Sequence, residues 1–277
     1  RKREMPNRMN DDGMDGEAVV GGNDSTVERR SLFNKMGGTM AAFASLLVVW
    51  IILSIIVRPW VPTPVDTVIA MYRALGSAEF YQDLLLTLWR VLSAFAGATV
   101  VGSVLGILVG LSRRADAFFR PLLAIGLAVP DPVYIIFTIL ALGIGEQAGF
   151  VALTIAITPF VTNIVRSSVQ ARDLTLDEMV QVYRIPFWEA FWANLVPQLV
   201  PALLTAVRNS FALSWKLVVV VEALGQPEGL GASFFQSFRL LRMREMLALA
   251  ILFTILMELI ERGALGRLER RLLRWRA

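Results

Sequence analysis

The chain has 277 residues, of which 56% are hydrophobic, with no cysteine, no histidine and a formal net charge of +4. A mean hydropathy of +0.59 is too high for a soluble domain and marks a polytopic membrane protein. Disulfides, thiol nucleophiles, thiolate metal sites and imidazole chemistry are excluded together, and no G-x-x-x-x-G-K-[ST] loop is present to cradle a nucleotide.

Residues 1–38 are polar, rich in Asp, Asn, Gly and Arg, and lack an apolar period; they are expected as a disordered cytoplasmic tail ahead of one membrane domain over 39–277. Crossing the hydrocarbon core takes roughly 20 residues of helix. Apolar runs near that length at 40–60, 84–111, 122–142, 148–165, 195–224 and 247–260 predict an all-α fold with six spans. The first run has no A-x-A-like cleavage site and is expected to stay as an anchor. Pro59, Pro62 and Pro64 then stiffen its exit, and Val68, Ile69, Tyr72 and Leu75 share one face of a short helix suited to the outer membrane surface.

In the second run Gly102, Gly106 and Gly110 recur every four residues, so another backbone of the same subunit can approach closely. The third run contains Pro130, Asp131 and Pro132, which remove backbone donors and break the helix. Broken helices in membranes line cavities. Asp131 and, in the fifth run, Lys216 sit in apolar surroundings, where a charge costs on the order of 3 kcal/mol unless paired or wetted. Together with Pro130 and Pro132 they are candidates for a translocation path, either facing one another or with Lys216 offered to an anion; a structural pair or snorkelling is the alternative. Arg90 is expected to snorkel, Arg208 to mark the inner boundary of the fifth span, and Glu222 to lie at its outer end. Trp60, Trp89, Trp192 and Trp275 are expected as interfacial anchors.

The loop charges set an orientation. Arg29, Arg30, Lys35, Arg113, Arg114, Arg120, Arg166, Arg172, Arg184 and the C-terminal arginines fall on one side, against Arg58, Arg73, Arg239, Arg242 and Arg244 on the other. The positive-inside rule then puts both termini in the cytoplasm and leaves the net charge no need of a nucleic-acid partner.

The stretch 174–208 interrupts the apolar runs. Thr175 and Glu178 have capping-box spacing, predicting a helix over 176–183. Ile185 precedes Pro186 and is biased out of the helical region, while Pro186 suits the first turn of a second short helix through Phe187, Trp188, Ala190 and Phe191. The product is a bent helix pair presenting Met179, Val182, Tyr183, Phe187, Trp188 and Phe191. Such a surface either engages a partner or rests on lipid headgroups.

The order Glu178, then Trp188, Ala190 and Phe191, then Pro197, Pro201 and Ala206-Val207-Arg208 resembles the EAA region of permease subunits of binding-protein-dependent ABC importers. AVPDPVYIIFTILALGIGE over 128–146, VVVVEALGQPEGLG over 218–231 and LERRLLRWR over 268–276 are similar to the nitrate, sulfonate, taurine and bicarbonate branch, and the likeness extends from Thr39 onward. The resemblance implies a permease that binds no cofactor itself, with ATP and magnesium on a pair of ATPase subunits. It also implies a second permease copy or close paralogue, and a periplasmic or lipid-anchored solute-binding protein. The bent pair becomes a coupling element, with Glu178, Met179, Val182, Tyr183, Arg184, Pro186, Phe187 and Trp188 as its contact residues. This chain departs from the pattern in having Met179 and Val180 after the glutamate, and Arg184 at the turn glycine, which leaves Pro186 to form the bend. Asp131 and Lys216 also replace expected apolar or proline residues, as in the divergent half of a heterodimer. The rival readings are an ion-gradient-driven transporter or channel coupled through Asp131, Lys216 and Glu222, and an intramembrane enzyme using Ser or Asp.

Overall fold

The structure is a computed structural model and describes residues 24–265, with side chains over 40–263. Residues 1–23 of the expected tail, Trp275 and the arginines beyond 265 lie outside the described residues. All secondary structure among the described residues is helical. Helix α1 (Asp24–Ile56) forms one unit by itself, and the chain from Val57 onward forms a second. Since α1 begins at Asp24, the backbone of 24–38 is helical and not the expected coil. No proline interrupts that stretch, and each residue added to an existing helix gains a hydrogen bond.

In the second unit, side-chain caps start the early helices. The Thr63 hydroxyl accepts from the Asp66 amide (3.1 Å) at α2 (Pro64–Leu75), and Ser77 does the same from Phe80 (3.3 Å) at α3 (Ala78–Leu111). Ser112 caps α4 (Arg113–Ala128) through the Ala115 amide. As expected for a surface helix, α2 exposes Val68, Ile69, Tyr72 and Leu75.

The centre of the fold is α3 against α6 (Glu146–Gln170). A Cβ built on Gly102, Gly106 or Gly110 would lie 2.6, 2.7 and 2.6 Å from the Cβ of Val161, Val165 and Val169, respectively. Glycines and valines therefore repeat every four residues on facing helices and mesh one to one, as the glycine spacing predicts within a single subunit. Around this seam, Val91, Ala94, Ala98, Leu153, Ile157, Leu199, Phe211, Trp215 and Val218 form one buried apolar core.

The Pro130-Asp131-Pro132 break turns the chain by 95° between α4 and α5 (Asp131–Leu142). Val129 and Pro130 are extended, and the Tyr134 hydroxyl donates to the freed Gly126 carbonyl at 2.8 Å, so a backbone acceptor released by the break is satisfied. Helices α3 and α6 and the continuous helical stretch Phe187–Gly225 are long and apolar enough to cross a membrane, and the bent pair raises the number among the described residues to four. The apolar part of α1, Met40–Ile56, is shorter, and the 18-residue α11 (Met243–Ile260) carries Arg244, Glu245 and Glu258. By length and composition the described helices thus number fewer than the six expected spans.

One buried polar cluster joins four helices. Arg90 is 5% exposed and so does not snorkel as expected; Glu222 is fully buried in the last turn of the helix that ends at Gly225. Arg90 Nη1 donates to Glu222 Oε1 and to the Glu228 carbonyl (both 2.7 Å), and its other nitrogens reach Glu146 at the start of α6. Thr87 donates to Glu222 (2.9 Å) and accepts from the Leu230 amide (2.9 Å), while the Gly231 amide donates to Glu222 (2.8 Å) and the Gly229 amide to Asp83 (3.0 Å). The helix these amides begin, α10 (Leu230–Arg239), is not foreseen in the sequence. Gly229 has φ +118°, and a Cβ there would lie 2.5 Å from the Glu222 carboxylate, so the cluster admits only glycine.

Two outcomes follow for stability. Gly106→Leu forces α3 off α6 and is expected to cost more than the roughly 1–3 kcal/mol of ordinary overpacking; the drop appears in thermal unfolding of the detergent-purified chain, and Val165→Ala recovers part of it. Arg90→Met strands the buried Glu222 carboxylate, whose paired cation it removes, at about 3–5 kcal/mol, whereas the double change Arg90→Met with Glu222→Leu unfolds much closer to the parent.

Candidate functional site

The stretch between α6 and the long helix of the fifth apolar run forms an elbow. Its first arm is α7 (Leu174–Val182). The cap is Asp173 and not the expected Thr175: the Asp173 carboxylate accepts from the Thr175 amide (2.9 Å) and hydroxyl (2.7 Å). An aspartate one residue ahead of the helix reaches the second amide directly, which makes the Thr175–Glu178 spacing unnecessary. Those two hydrogen bonds hold the Asp173 carboxyl below the usual carboxylate range. The cap is therefore complete above the ordinary aspartate value of about 3.9 and is lost only as pH falls through the depressed one.

Helix α7 ends in a tight reversal. The Arg184 amide donates to the Gln181 carbonyl (3.2 Å) and the Ile185 amide to Val180 (3.0 Å), with Arg184 left-handed at φ +50°. This is the paired 5→2 and 6→1 bonding of a Schellman end, with arginine where glycine is favoured. Pro186 does not replace the left-handed turn, as expected from the sequence; it follows it, extended at ψ 145°, and starts the second arm, α8 (Phe187–Ala190). That arm is not a separate short helix. Through a π-helical turn at Phe191–Leu195 it runs on into α9 (Val196–Gly225), making one helical stretch of 39 residues.

Four polar side chains and one backbone amide at its base clasp the elbow to the bundle. Arg172 donates to the Val169 carbonyl at the end of α6 (2.8 Å) and to Asp177 on α7 (2.7 Å). Asn194 donates to the other Asp177 oxygen (3.1 Å), Gln198 donates to Asn194 (2.6 Å), and the Asp173 amide closes the ring by donating to Gln198 (2.8 Å). Under the clasp lies a cavity of about 180 Å³ lined by Leu111, Val180, Phe187 and Leu195 among others. Of the clasp residues the sequence marks only Arg172, as a loop charge, although Asn194 and Gln198, spaced i, i+4 at the start of an apolar run, carry the signal.

Above the clasp the apolar residues face outward. Met179, Val182, Tyr183, Phe187 and Trp188 are between 52% and 78% exposed, and Glu178, Arg184 and Pro186 are exposed with them. The eight residues expected at a coupling surface are thus gathered on one elbow. The path candidates are not joined: Asp131 opens α5, Lys216 projects from α9, and among the described residues neither has an ion-pair partner. Arg208 pairs with Glu261 at 3.1 Å.

A bundle of apolar helices long enough to cross a bilayer, bearing an exposed aromatic elbow, is the architecture of a multi-pass membrane protein. The family model of the binding-protein-dependent transport system inner membrane component matches residues 98–274, and the chain belongs to that family. It is 24% identical to a putative aliphatic sulfonates transport permease protein of Bacillus subtilis strain 168, over 84% of this chain and 85% of that one. It is 25% identical to the taurine transport system permease protein of Escherichia coli K12, over 86% and 89%. With the nitrate import permease protein of Synechocystis it shares 28% over 70% and 73%. The fold matches the methionine ABC transporter in inward-facing conformations with a TM-score of 0.59 at 22% identity, covering 70% of this chain and 98% of that one. An amino acid ABC transporter gives 0.60 at 20%, covering 73% and 97%. The chain is therefore the inner-membrane permease component of an ABC importer; it binds no cofactor, and ATP is hydrolysed on separate subunits.

Arginine in a left-handed turn loses about 1 kcal/mol or more relative to glycine. Arg184→Gly is expected to slow hydrogen exchange of the Arg184 and Ile185 amides by several-fold and Arg184→Val to speed it, with exchange in α3 unchanged in both.

Proposed function

We propose that this chain forms half of the passage of an importer for a small anionic solute, paired with a second copy or a close paralogue. An extracytoplasmic binding protein delivers the solute to the outer face. Each elbow seats in a groove on an ATPase subunit, so that closure of the ATPases swings the elbow and, through it, the 39-residue helix to which it is continuous. The observation that carries this reading is the combination of an outward aromatic surface with a hydrogen-bonded base: a lever needs a face for its motor and a stiff joint to its load. In this arrangement Glu178, Met179, Val182, Tyr183, Arg184, Pro186, Phe187 and Trp188 meet the ATPase. Asp131, Pro130, Pro132 and Lys216 border the passage.

Six spans with both termini in the cytoplasm complete the topology, with α1 and α11 as the first and last. The loop arginines support that orientation, and an even number of crossings puts Arg166, Arg172 and the elbow on the same side as the termini. An anionic solute is supported by the sulfonate, taurine and nitrate named for three relatives and by a lone lysine in a span.

Co-expression with the ATPase and binding protein tests the reading. The ATPase is expected to co-purify and to speed up when solute-loaded binding protein is added. Val182→Asp and Trp188→Ala each weaken its retention at least tenfold, as loss of a hot-spot residue worth roughly 2 kcal/mol requires. An undiminished ATPase complex in both variants would place the contact elsewhere, and solute uptake without any ATPase would overturn the importer.

A further inference from the structure

A span that faces lipid keeps its polar groups inside the bundle, and α9 does the opposite along one face. At about 100° per residue, Thr205, Asn209, Ala212 and Lys216 fall on a single stripe. Thr205, Asn209 and Lys216 are exposed, whereas Ala206, Ser210, Phe211, Ser214, Trp215, Leu217 and Val218 on the other sides are buried. A hydroxyl, a carboxamide and an ammonium thus stand in a row within three turns, with the small Ala212 leaving room between them. Among the described residues no acid pairs with Lys216, and the cation nearest in sequence on the inner side, Arg208, is already paired with Glu261.

Against hydrocarbon this stripe would cost on the order of 3 kcal/mol for the lysine alone, so it borders water or another protein. Its electrostatics select the ligand: the Thr205 hydroxyl is spent on the Pro201 carbonyl of its own helix (3.0 Å), which leaves the three N–H donors of Lys216 and the two of Asn209 on the exposed face, a set that suits a small oxoanion or sulfonate and repels a cation. One helix face covers only one side of such a ligand. We infer that Asn209 and Lys216 form one wall of an anion subsite in the passage, and that the second permease subunit supplies the facing wall. This rests on the importer reading and adds to it the residues and charge class of the bound solute.

The chain has no cysteine, so Ala212→Cys, one turn from Lys216, introduces a single thiol. In the full transporter in proteoliposomes, its rates of modification by the anionic sulfonatoethyl and the cationic trimethylammonioethyl methanethiosulfonates are read from the mass of this chain. Both reagents are expected to reach the thiol, and Lys216→Met is expected to lower the anionic-to-cationic rate ratio about tenfold, within the range by which a charged cleft raises local ion concentration; Lys216→Arg keeps it. A thiol inert to both reagents, or a ratio indifferent to Lys216→Met, overturns the subsite. Failure of the importer reading is separately visible in the same preparation as absence of the ATPase.

Discussion

A guanidinium buried in an apolar bundle must be neutralised and fully hydrogen-bonded where it lies, and this requirement at Arg90 fixes one end of the fold. Its partners come from three directions: Glu146 opens α6, Glu222 belongs to α9, and the Glu228 carbonyl lies in the loop that leads to α10. Satisfying Arg90 therefore brings α3, α6, α9 and α10 to one point. The remaining lone pairs of Glu222 are taken by Thr87 and by the Gly231 amide, so neither charge is left with an unmet group. Lower in the bundle the same α3 and α6 are held by a contact of the opposite kind, bare glycine against valine, where no polar atom is needed. The two helices are pinned by charge at one end and by shape along their length.

The end that carries the elbow uses polar groups differently. The clasp of Arg172, Asp173, Asp177, Asn194 and Gln198 closes a ring from α6 through α7 to α9, which removes the freedom of the elbow to hinge at either root. Its tip is then defined by a reversal whose two hydrogen bonds outweigh the steric cost of a left-handed arginine. The end of α10 repeats the device: Leu241, at φ +56°, and Arg242 donate to Phe238 and Ser237 in the same 5→2 and 6→1 pattern. Twice, then, the chain stops a helix with the backbone bonds of a Schellman end but without glycine, and in both places the following helix starts within three residues. Geometry is held by the hydrogen-bond pair, and side-chain identity at the turn is left free for other duties. At Arg184 that freedom puts a cation at the tip of the elbow.

What the sequence made legible is whatever depends on near neighbours. The glycine interval in α3, the proline break before α5, the bend after α7 and the gathering of eight exposed residues on the elbow all follow from spacing within a few turns. What it hid depends on residues far apart. Arg90 looked like a snorkelling residue because its two glutamates lie 56 and 132 positions away. Helix α10 was invisible for the same reason: its first amides, from Gly229, Leu230 and Gly231, are capped by Asp83, Thr87 and Glu222 of other helices, so no local Ser, Thr or Asp marks its start. Asp173 was missed on a finer scale, since two adjacent capping candidates differ only in which carboxyl or hydroxyl reaches the free amide.

The charged residues of the apolar stretches then separate by how they are met. Arg90, Glu146 and Glu222 are paired within the chain, and their arrangement is complete without any other molecule. Asp131 and Lys216 are not, although the fold shows by the first cluster that it can bring carboxylates to a buried cation across great sequence distance. Lys216 even stands beside Trp215, which is buried against Phe253 with ring centroids 4.6 Å apart, so the helix is firmly held while the lysine is exposed and pairs with no acid among the described residues. A charge kept unpaired on a rigid helix inside a membrane carries a standing cost that internal pairing would remove. Such a cost persists only where something outside the chain meets the charge, and in a transport subunit the candidates are the facing subunit, the water of the passage and the solute that crosses it.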